Sequence, residues 1–364
     1  MRNVDYIYEY KKGASNKTEN NPKRYKVSLV CPAYNEEAII EDNVKKIREY
    51  VDEKIAFDFD WEILLINDGS KDETGKIAEK IANEDSRVRV IHHVINLNLG
   101  NALKSGFGYA NGDYIIVLDL DLSYDTFHIR KLLDVIHNTK ADMVVASPYM
   151  KGGKVTNVPF FRKLMSKWVN RFMRMAAQEN YHTFTGMVRA YNSKFVKTLN
   201  LKTKDYEINP EIMYKAMILR ARIIEIPAHL DWSMQKKVGK KRQSSIRVLR
   251  GVFSGLMSGF IFRPYVFFIG VGFVLLLLSL YIIGWIFINT FGHYPEICVQ
   301  TNYIDDRFSQ ALAIVFMERP HAFFVGGFTF LAAIQFLSLG FLSLQSKRYF
   351  EETFHIATSI LKDE

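Results

Sequence analysis

The chain lacks the features that identify several classes of protein. Its 364 residues include only two cysteines, Cys31 and Cys298, too few for the disulfide framework of a small secreted domain. Residues 1–26 are polar and contain no apolar run of the length that a signal peptide needs, so we expect the N-terminal half to stay in the cytosol. No helix-turn-helix, zinc-finger or RNP pattern accompanies the formal net charge of +9, which argues against nucleic acid as a partner. An anionic membrane surface or a phosphorylated substrate remains as the partner that this positive charge could serve.

Two long segments lack charge. Residues 265–289 contain no charged side chain, and residues 321–346 contain no Asp, Glu, Lys or Arg. Each segment is long enough to cross a hydrocarbon core of about 30 Å as a helix. The alternative for either one is a buried helix of a soluble protein. We predict two membrane-spanning helices.

Basic residues flank these segments unevenly. Eight lysines and arginines lie between residues 236 and 263, and two more follow the second segment, whereas the connecting residues 290–320 carry only two among several acids. Because basic residues mark the cytosolic side of membrane proteins, we predict that both termini are cytosolic. Cys31 and Cys298 would then lie on opposite sides of the bilayer, where no disulfide can join them.

Residues 244–264 alternate basic and bulky apolar side chains between the N-terminal half and the first apolar segment. This pattern suits a helix that lies among lipid headgroups. A packed linker helix is an equally good interpretation.

Upstream of Ser233 the apolar patterns alternate between strand and helix. Strands are predicted at VSLVCPAYN, WEILLINDGS, VRVIHHV and DYIIVLDLD, with helices near residues 36–51, 74–83 and 99–110. Such alternation favours an α/β fold with a mostly parallel sheet and helices on both faces. Ligands of these sheets bind at the carboxyl ends of the strands, where the polar clusters PAYNEE, NDGS and DLDLS fall.

Asp119 and Asp121 close the fourth predicted strand. Side chains two residues apart in a strand point to the same face, so two carboxylates are expected to converge at its tip. Such a pair can hold Mg²⁺ or Mn²⁺ through oxygen and leave coordination sites open for a diphosphate. The alternative is a helix cap or a surface turn. The polar clusters PAYNEE and NDGS are predicted at the same edge of the sheet, and this favours a metal site over a cap or a turn.

Two further acids follow the first two predicted strands. Asp68 ends the second strand beside Gly69, and Glu36 follows PAYN. Each carboxylate can accept hydrogen bonds from a base or a ribose. Each could instead serve as a turn or N-cap acid.

These motifs together resemble those of family 2 glycosyltransferases of the polyprenyl-phosphate type, the relatives of dolichol-phosphate mannose and glucose synthases. The resemblance covers about residues 25–250 and includes the stretches NLGNALKSGFGYANGDYIIVLDLDLS and SPYMKGGKVTNVPFFRKLMSKWVNRFMR. It implies a Rossmann-like GT-A fold, an inverting mechanism and dependence on Mg²⁺ or Mn²⁺.

The resemblance also implies roles for individual residues. The nucleotide-sugar positions are Pro32, Tyr34, Glu36, Asp68 and Asp119. The metal positions are Asp119, Asp121 and Ser123. The acceptor-phosphate positions are Arg162, Arg242 and Lys151. The catalytic positions are Asp121, Glu211 and Arg242, with Glu211 expected against the sugar and Arg242 at the lipid phosphate. For most of the basic residues around Arg242, a membrane-surface patch is the alternative.

Three positions depart from the family pattern. Ser123 stands where Gln or a similar group is frequent, and His182 stands where an acid is commoner. Pro148 replaces a frequent arginine, so one phosphate contact is lost or is supplied by Lys151 or Lys154. The reaction class is expected to survive these changes, while the identity of the sugar stays open.

The sequence thus predicts transfer of a hexose from a GDP-mannose or UDP-glucose type donor to a polyprenyl or dolichyl phosphate at the cytosolic face of the membrane. A phosphate monoester is largely dianionic at neutral pH and needs no strong general base. The alternatives are another lipid or glycan acceptor, or a catalytically silent scaffold. A processive synthase is disfavoured because the Gln-x-x-Arg-Trp signature is absent. Two anchoring helices permit a homo-oligomer without requiring one.

The predicted organisation has seven parts. These are a polar tail (1–24), a GT-A domain (25–232), a basic juxtamembrane segment (233–264), a first span (265–289), an extracytoplasmic loop (290–320), a second span (321–346) and a cytosolic tail (347–364).

Overall fold

The structure is a computed structural model that describes residues 24–177, 180–233, 264–297 and 304–363. The juxtamembrane segment with Arg242, most of the N-terminal tail and Cys298 lie outside these residues. Predictions made for them are carried forward as predictions.

Among the described residues, nine strands form two sheets. The strands are β1 Lys26–Ala33, β2 Asp60–Asn67, β3 Val88–His92, β4 Tyr114–Val117, β5 Met143–Ser147, β6 Lys154–Thr156, β7 Arg189–Asn192, β8 Ile223–Pro227 and β9 His229–Asp231. Seven of them make a central sheet in the order β3-β2-β1-β4-β7-β5-β8, and β6 pairs with β9. All neighbours in the central sheet are parallel except β7, which runs antiparallel to both β4 and β5. The predicted mostly parallel sheet is confirmed.

Within the described part of residues 24–233, seven helices accompany the sheets. They are α1 Ile40–Lys54, α2 Thr74–Glu84, α3 Leu99–Tyr109, α4 Phe127–Thr139, α5 Phe160–Ala177, α6 Ser193–Thr198 and α7 Ile208–Ile218. One apolar cluster joins side chains of α1, α2 and α4 to one face of the sheet, and a second joins α3, α5, α6 and α7 to the opposite face. Helices on both faces explain why β1, β2 and β4 are nearly continuous apolar runs.

Three more helices follow: α8 Pro264–His293, α9 Ile304–Glu318 and α10 Pro320–Asp363. Helices α8 and α10 are long and apolar enough to cross a membrane, and they pack along each other where Ser279 Oγ donates to the Gly326 carbonyl at 3.2 Å. The predicted pair of apolar helices is confirmed. The segment predicted as a loop between them contains α9, and α10 continues as helix through the residues predicted as a tail.

Candidate active site

The loops after β1 and β2 form one side of a crevice at the carboxyl edge of the sheet. The Asn35 N–H donates to Ser70 Oγ at 3.0 Å, and the Glu36 N–H donates to Thr74 Oγ1 at 2.8 Å. Tyr34, between Pro32 and these contacts, is partly exposed. Strands β1, β2 and β3 follow one another toward one edge of the sheet, and β4 lies on the other side of β1. The strand order therefore changes direction between β1 and β4, and nucleotides bind at such a switch point in open α/β sheets.

Asp68 is held rigidly at the end of β2. Its Oδ1 lies 2.7 Å from His93 Nδ1 and accepts the Leu97 N–H at 2.9 Å, and His93 Nε2 lies 2.8 Å from Ser105 Oγ. The next residue, Gly69, has φ +65°, and a Cβ there would lie 2.3 Å from a backbone carbon. The turn therefore requires glycine, and Asp68 is preorganised before any ligand arrives.

Asp119 and Asp121 lie in a turn beyond β4. The strand ends at Val117, so the period-2 argument used to predict their convergence was wrong. The turn brings them together instead, because the Leu122 N–H donates to the Asp119 carbonyl at 3.1 Å with Leu122 at φ 51°. The buried side chain of Asn43 on α1 supports the turn by donating to the Leu120 carbonyl at 2.9 Å.

Negative charge is concentrated at this turn. Burial, together with the charges of Asp121 and Glu36, raises the pKa of Asp119 to about 8, although a hydrogen bond from Ser123 lowers it. Burial and the Asp119 charge also raise the pKa of the Cys31 thiol to about 12. The negative charges of Asp121 and Glu36 thus act on Asp119, and a cation would relieve this repulsion.

The donor set at this turn fits a hard divalent cation. Among the described residues no group of three or more His, Cys, Asp or Glu side chains surrounds a common point. Mg²⁺ bound for phosphate chemistry typically takes one or two carboxylates and fills its other positions with water and phosphate oxygens. Asp119 and Asp121 match that pattern.

Ser123 was predicted as a metal position. Its side chain is buried and bonds to Asp119, and its N–H donates to Asp121 Oδ1 at 2.9 Å. Its carbonyl accepts the Asp231 N–H at 2.8 Å. These contacts favour a positioning role for Ser123, which ties both aspartates to β9.

Glu211, predicted against the sugar, is buried and bonded within the protein. Its carboxylate accepts from the Lys202 and Thr203 N–H groups and from Thr203 Oγ1, and it lies 2.7 Å from Lys215 Nζ. Burial raises the pKa of Glu211, but these bonds outweigh burial and lower it overall. The geometry favours a role in holding the loop 199–207.

Two of the three predicted acceptor residues, Arg162 and Lys151, lie within the described residues, and Arg242 lies outside them. The Arg162 guanidinium stacks on the Trp232 ring at 4.2 Å, and burial lowers its pKa while nearby Tyr206 and Tyr149 raise it. Lys151 is exposed in the turn after β5. Neither is brought to the Asp119 turn by a described contact.

Two residues at the crevice were missed by sequence reasoning. His93 orients Asp68, and the Asp205 pKa is raised by burial and by the charges of Glu207 and Asp68. The loop carrying Asp205 lies over α3, where the Gly100 N–H donates to the Lys204 carbonyl at 2.9 Å. A tandem histidine after a strand was a weak signal for His93, and no local pattern marks Asp205.

A mostly parallel sheet with acidic side chains at its switch point is typical of α/β folds that bind nucleotides. The particular family follows from comparison: residues 28–200 match the Glycosyl transferase family 2 model. These residues form a glycosyl transferase family 2 domain, and the predicted family is confirmed.

Two curated relatives are similar over the same region. The chain is 31% identical to a dolichol-phosphate mannosyltransferase of Pyrococcus furiosus, over 56% of this chain and 55% of the relative. It is 28% identical to an undecaprenyl-phosphate mannosyltransferase of Micrococcus luteus, over 60% of this chain and 88% of the relative. The chain thus spans about half the length of the first of these relatives.

Solved structures are similar at lower identity. A mannosyltransferase of Pyrobaculum calidifontis in complex with GDP-Man and Mn²⁺ matches 96% of this chain and 90% of its own, with 14% identity and a TM-score of 0.42. Glucosyl-3-phosphoglycerate synthase of Mycobacterium tuberculosis, in complex with Mn²⁺, UDP and phosphoglyceric acid, matches 65% of this chain and 78% of its own, with 18% identity and a TM-score of 0.47.

Proposed function

We propose that the protein transfers a hexosyl group from a nucleotide-sugar to a polyprenyl phosphate at a membrane surface. The observation that carries the proposal is the presence, in one chain, of a family 2 domain with paired carboxylates and of two helices able to span a bilayer. A soluble donor and a membrane-borne acceptor would meet at the junction of those two parts. The names of the curated relatives support a polyprenyl-phosphate acceptor.

Asp119 and Asp121 would hold Mg²⁺ or Mn²⁺, which when bound supplies positive charge to the diphosphate of the donor. Asn43 and Ser123 would keep the two carboxylates in place. Pro32, Tyr34, Glu36 and Asp68 would bind the nucleoside. Asp68 suits this role because His93 fixes its carboxylate.

On the acceptor side, a phosphate oxygen of the lipid would attack the anomeric carbon of the sugar. The bond from that carbon to the diphosphate oxygen breaks, and the nucleoside diphosphate leaves with its bonding electrons. A single displacement inverts an α-linked donor to a β-linked product. Arg162, Arg242 and Lys151 would offset acceptor charge, and Glu211 would hold the loop beside the sugar.

The topology is part of the proposal. Helices α8 and α10 would span the membrane, with the family 2 domain on the cytosolic side and the basic residues 233–264 at its surface. The domain limits 25–232, 265–289 and 321–346 remain predictions. A homo-oligomer is compatible with this arrangement.

A donor and acceptor panel tests the proposal. Purified protein in detergent and lipid is offered labelled GDP-mannose, UDP-glucose, UDP-galactose or UDP-N-acetylglucosamine, each with undecaprenyl or dolichyl phosphate and Mg²⁺ or Mn²⁺. One pairing should yield an acid-labile, organic-extractable β-glycosyl phosphate that chelation of the metal abolishes. The Asp121→Asn protein serves as the inactive control. Transfer only to protein or glycan, with no lipid product from any pairing, would contradict the proposal.

A further inference from the structure

Helix α10 exposes a polar side chain at the middle of the predicted second span. Gln335 lies within two residues of the midpoint of residues 321–346. Its side chain is exposed, and no group among the described residues hydrogen-bonds its carboxamide. A carboxamide carries an acceptor oxygen and an NH₂ donor, and the hydrocarbon core of a bilayer satisfies neither. Gln335 therefore calls for a polar partner within the membrane.

The opposite side of α10 packs against α8. A Cβ on Gly326 or on Gly340 would lie 3.0 or 2.6 Å from an isoleucine side chain of α8. Ala333, midway between the two glycines, is fully buried. These three residues are seven apart, so they form one face of the helix. Gln335 is two residues beyond Ala333, a rotation of about 200°, and so it points away from α8.

Gln335 belongs to a second row of residues with the spacing of a helix–helix contact. Phe328, Leu331, Gln335, Ser338 and Leu342 alternate spacings of three and four residues, as the a and d positions of a coiled coil do. We call this row the outer seam, and all five of its side chains are exposed. Transmembrane helices commonly pack with this geometry. A polar residue at one a position fixes the register and the oligomeric state of such a pair.

Symmetry identifies the partner that suits this seam. Two copies of one chain insert in the membrane with the same orientation, so a twofold axis that relates them runs along the membrane normal. Each residue then lies at the depth of its own counterpart, and a residue on the axis meets its own copy. Two glutamine carboxamides are complementary to each other, because the N–H of each can donate to the oxygen of the other. The exposed residues at the middle of α8, Leu277 and Leu278, offer no such pair.

We propose that the outer seam of α10 pairs with the outer seam of a second copy of this chain, with the two Gln335 carboxamides hydrogen-bonded across a twofold axis. The inference rests on the membrane topology given under the proposed function. It makes the homo-oligomer a parallel dimer that is joined inside the bilayer, with both family 2 domains on the same side.

Energy transfer between labelled copies of the full-length protein in lipid vesicles tests the pairing. The wild type should dimerise as the protein-to-lipid ratio rises. Gln335→Leu should raise the dissociation constant on the order of tenfold, because the hydrogen bonds between the helices are lost. Gln335→Asn keeps a carboxamide and should dimerise more tightly than Gln335→Leu.

Asn289→Leu is the matched control for these measurements. It removes a carboxamide of α8 that already has a partner, because Asn289 Nδ2 donates to the Trp285 carbonyl at 2.7 Å. Its dissociation constant should equal that of the wild type. A wild type that stays monomeric at every protein-to-lipid ratio, or a Gln335→Leu protein with an unchanged dissociation constant, would overturn the inference.

Cysteine cross-linking locates the axis. In a Cys298→Ser background, oxidation should join two copies of the Gln335→Cys protein through a disulfide, because the two positions face each other at one depth. Leu277→Cys, at the middle of the first predicted span and 53% exposed, should stay monomeric. Equal cross-linking of the two proteins would indicate random collision, and cross-linking of Leu277→Cys alone would move the contact to α8. Either result would overturn the proposed seam.

Dimerisation is measured without sugar transfer, so the two proposals can fail separately. If the dimer forms as described and no pairing of donor and acceptor gives a product, the proposed function fails and the interface stands. If sugar is transferred and the wild type is monomeric in vesicles, the interface fails alone.

Discussion

At the scale of single residues, Asp119 shows how a binding site opposes stability. Its carboxyl group is surrounded by apolar residues and by the charges of Asp121 and Glu36, which raise its pKa to about 8. Such a group destabilises the metal-free protein when it ionises. A cation bound at Asp119 and Asp121 would offset this repulsion.

Asp119→Asn should therefore separate activity from stability. We expect sugar transfer to fall at least about a hundredfold, because a carboxylate at the diphosphate is lost. Without divalent cations and above about pH 8, where Asp119 is ionised, the melting temperature should rise by a few degrees, because a like-charge contact is removed. Asp42→Asn, at an exposed position of α1, is the control for both measurements. Retained activity or a large fall in melting temperature would contradict this account.

Glu62 stabilises the opposite end of the sheet. Its buried carboxylate accepts from Ser28 Oγ at 2.6 Å and the Asn111 N–H at 2.8 Å, and it pairs with Lys26 and Arg89. Burial raises its pKa, but the hydrogen bonds from Ser28, Asn111 and Lys26 outweigh burial, so the pKa is lowered overall.

Glu62→Ala should cost about 2 kcal/mol or more, a fall of about 4–8 °C in melting temperature for a domain of this size. Because the pKa is lowered in the folded state, the stabilisation is fully present above about pH 5 and is lost as the pH falls through the folded pKa. The difference between wild type and variant, measured by thermal melting, should shrink on acidification. A difference that grows in acid would reverse the assigned sign. Glu84→Ala, at an exposed position, should change little.

Residue identities were easier to predict than residue contacts. Asp68, Asp119 and Asp121 were found because acids follow apolar strands, yet the turn that joins the last two was not visible. Glu211 matched a motif, while its hydrogen-bond donors on Lys202 and Thr203 lie in a loop whose path depends on tertiary packing. His93 and Asp205 act across distances that no local pattern encodes.

At the scale of elements, α3 packs closely on β1. A Cβ on Gly106 would lie 2.3 Å from Val30 Cγ1, whereas a Cβ on Gly108, two residues further along the helix, would meet nothing within 4 Å. The sheet and helix approach each other as closely as they do because Gly106 has no side chain.

Gly106→Ala should destabilise the protein by about 1–3 kcal/mol, since the buried Val30 cannot move away without disturbing the core. Gly108→Ala in the same helix should be neutral or stabilising by up to about 1 kcal/mol, because alanine is the better helix former. Thermal melting of the two variants side by side checks the pair. Equal changes in melting temperature would show that helix propensity, and not the contact with β1, determines the stability of these variants.

Periodicity predicted the elements of the N-terminal half well, because β1, α2 and α3 each carry a strong local pattern. The antiparallel β7 was not anticipated, since strand direction is fixed by its neighbours β4 and β5 and not by its own four residues. Residues 290–320 were predicted only as the extracytoplasmic connection between the two apolar segments, and helix α9 lies within them.

At the scale of the whole molecule, sidedness can be measured with thiol chemistry. Cys31 is buried, with its pKa raised to about 12, so it resists alkylation wherever the domain lies. The absence of labelling at Cys31 would therefore not show on which side of the membrane the domain lies. An exposed cysteine is needed for that.

We expect Glu84→Cys, in a Cys298→Ser background, to react with a membrane-impermeant maleimide only after the cells are permeabilised. Wild-type Cys298 should react in sealed cells, because residues 290–320 are predicted to lie outside. Background labelling of the Cys298→Ser protein is the control. Reaction of Glu84→Cys in sealed cells would invert the proposed orientation.

Helix α10 has 44 residues, which at 1.5 Å per residue is a rod of about 66 Å. The hydrocarbon core occupies only about 30 Å of that length. The remainder reaches the family 2 domain, where Lys215 Nζ lies 5.5 Å from the centre of the Phe354 ring. In the proposed topology, the length of α10 would therefore set the distance between the bilayer and the paired carboxylates, in steps of about 5.4 Å for each helical turn.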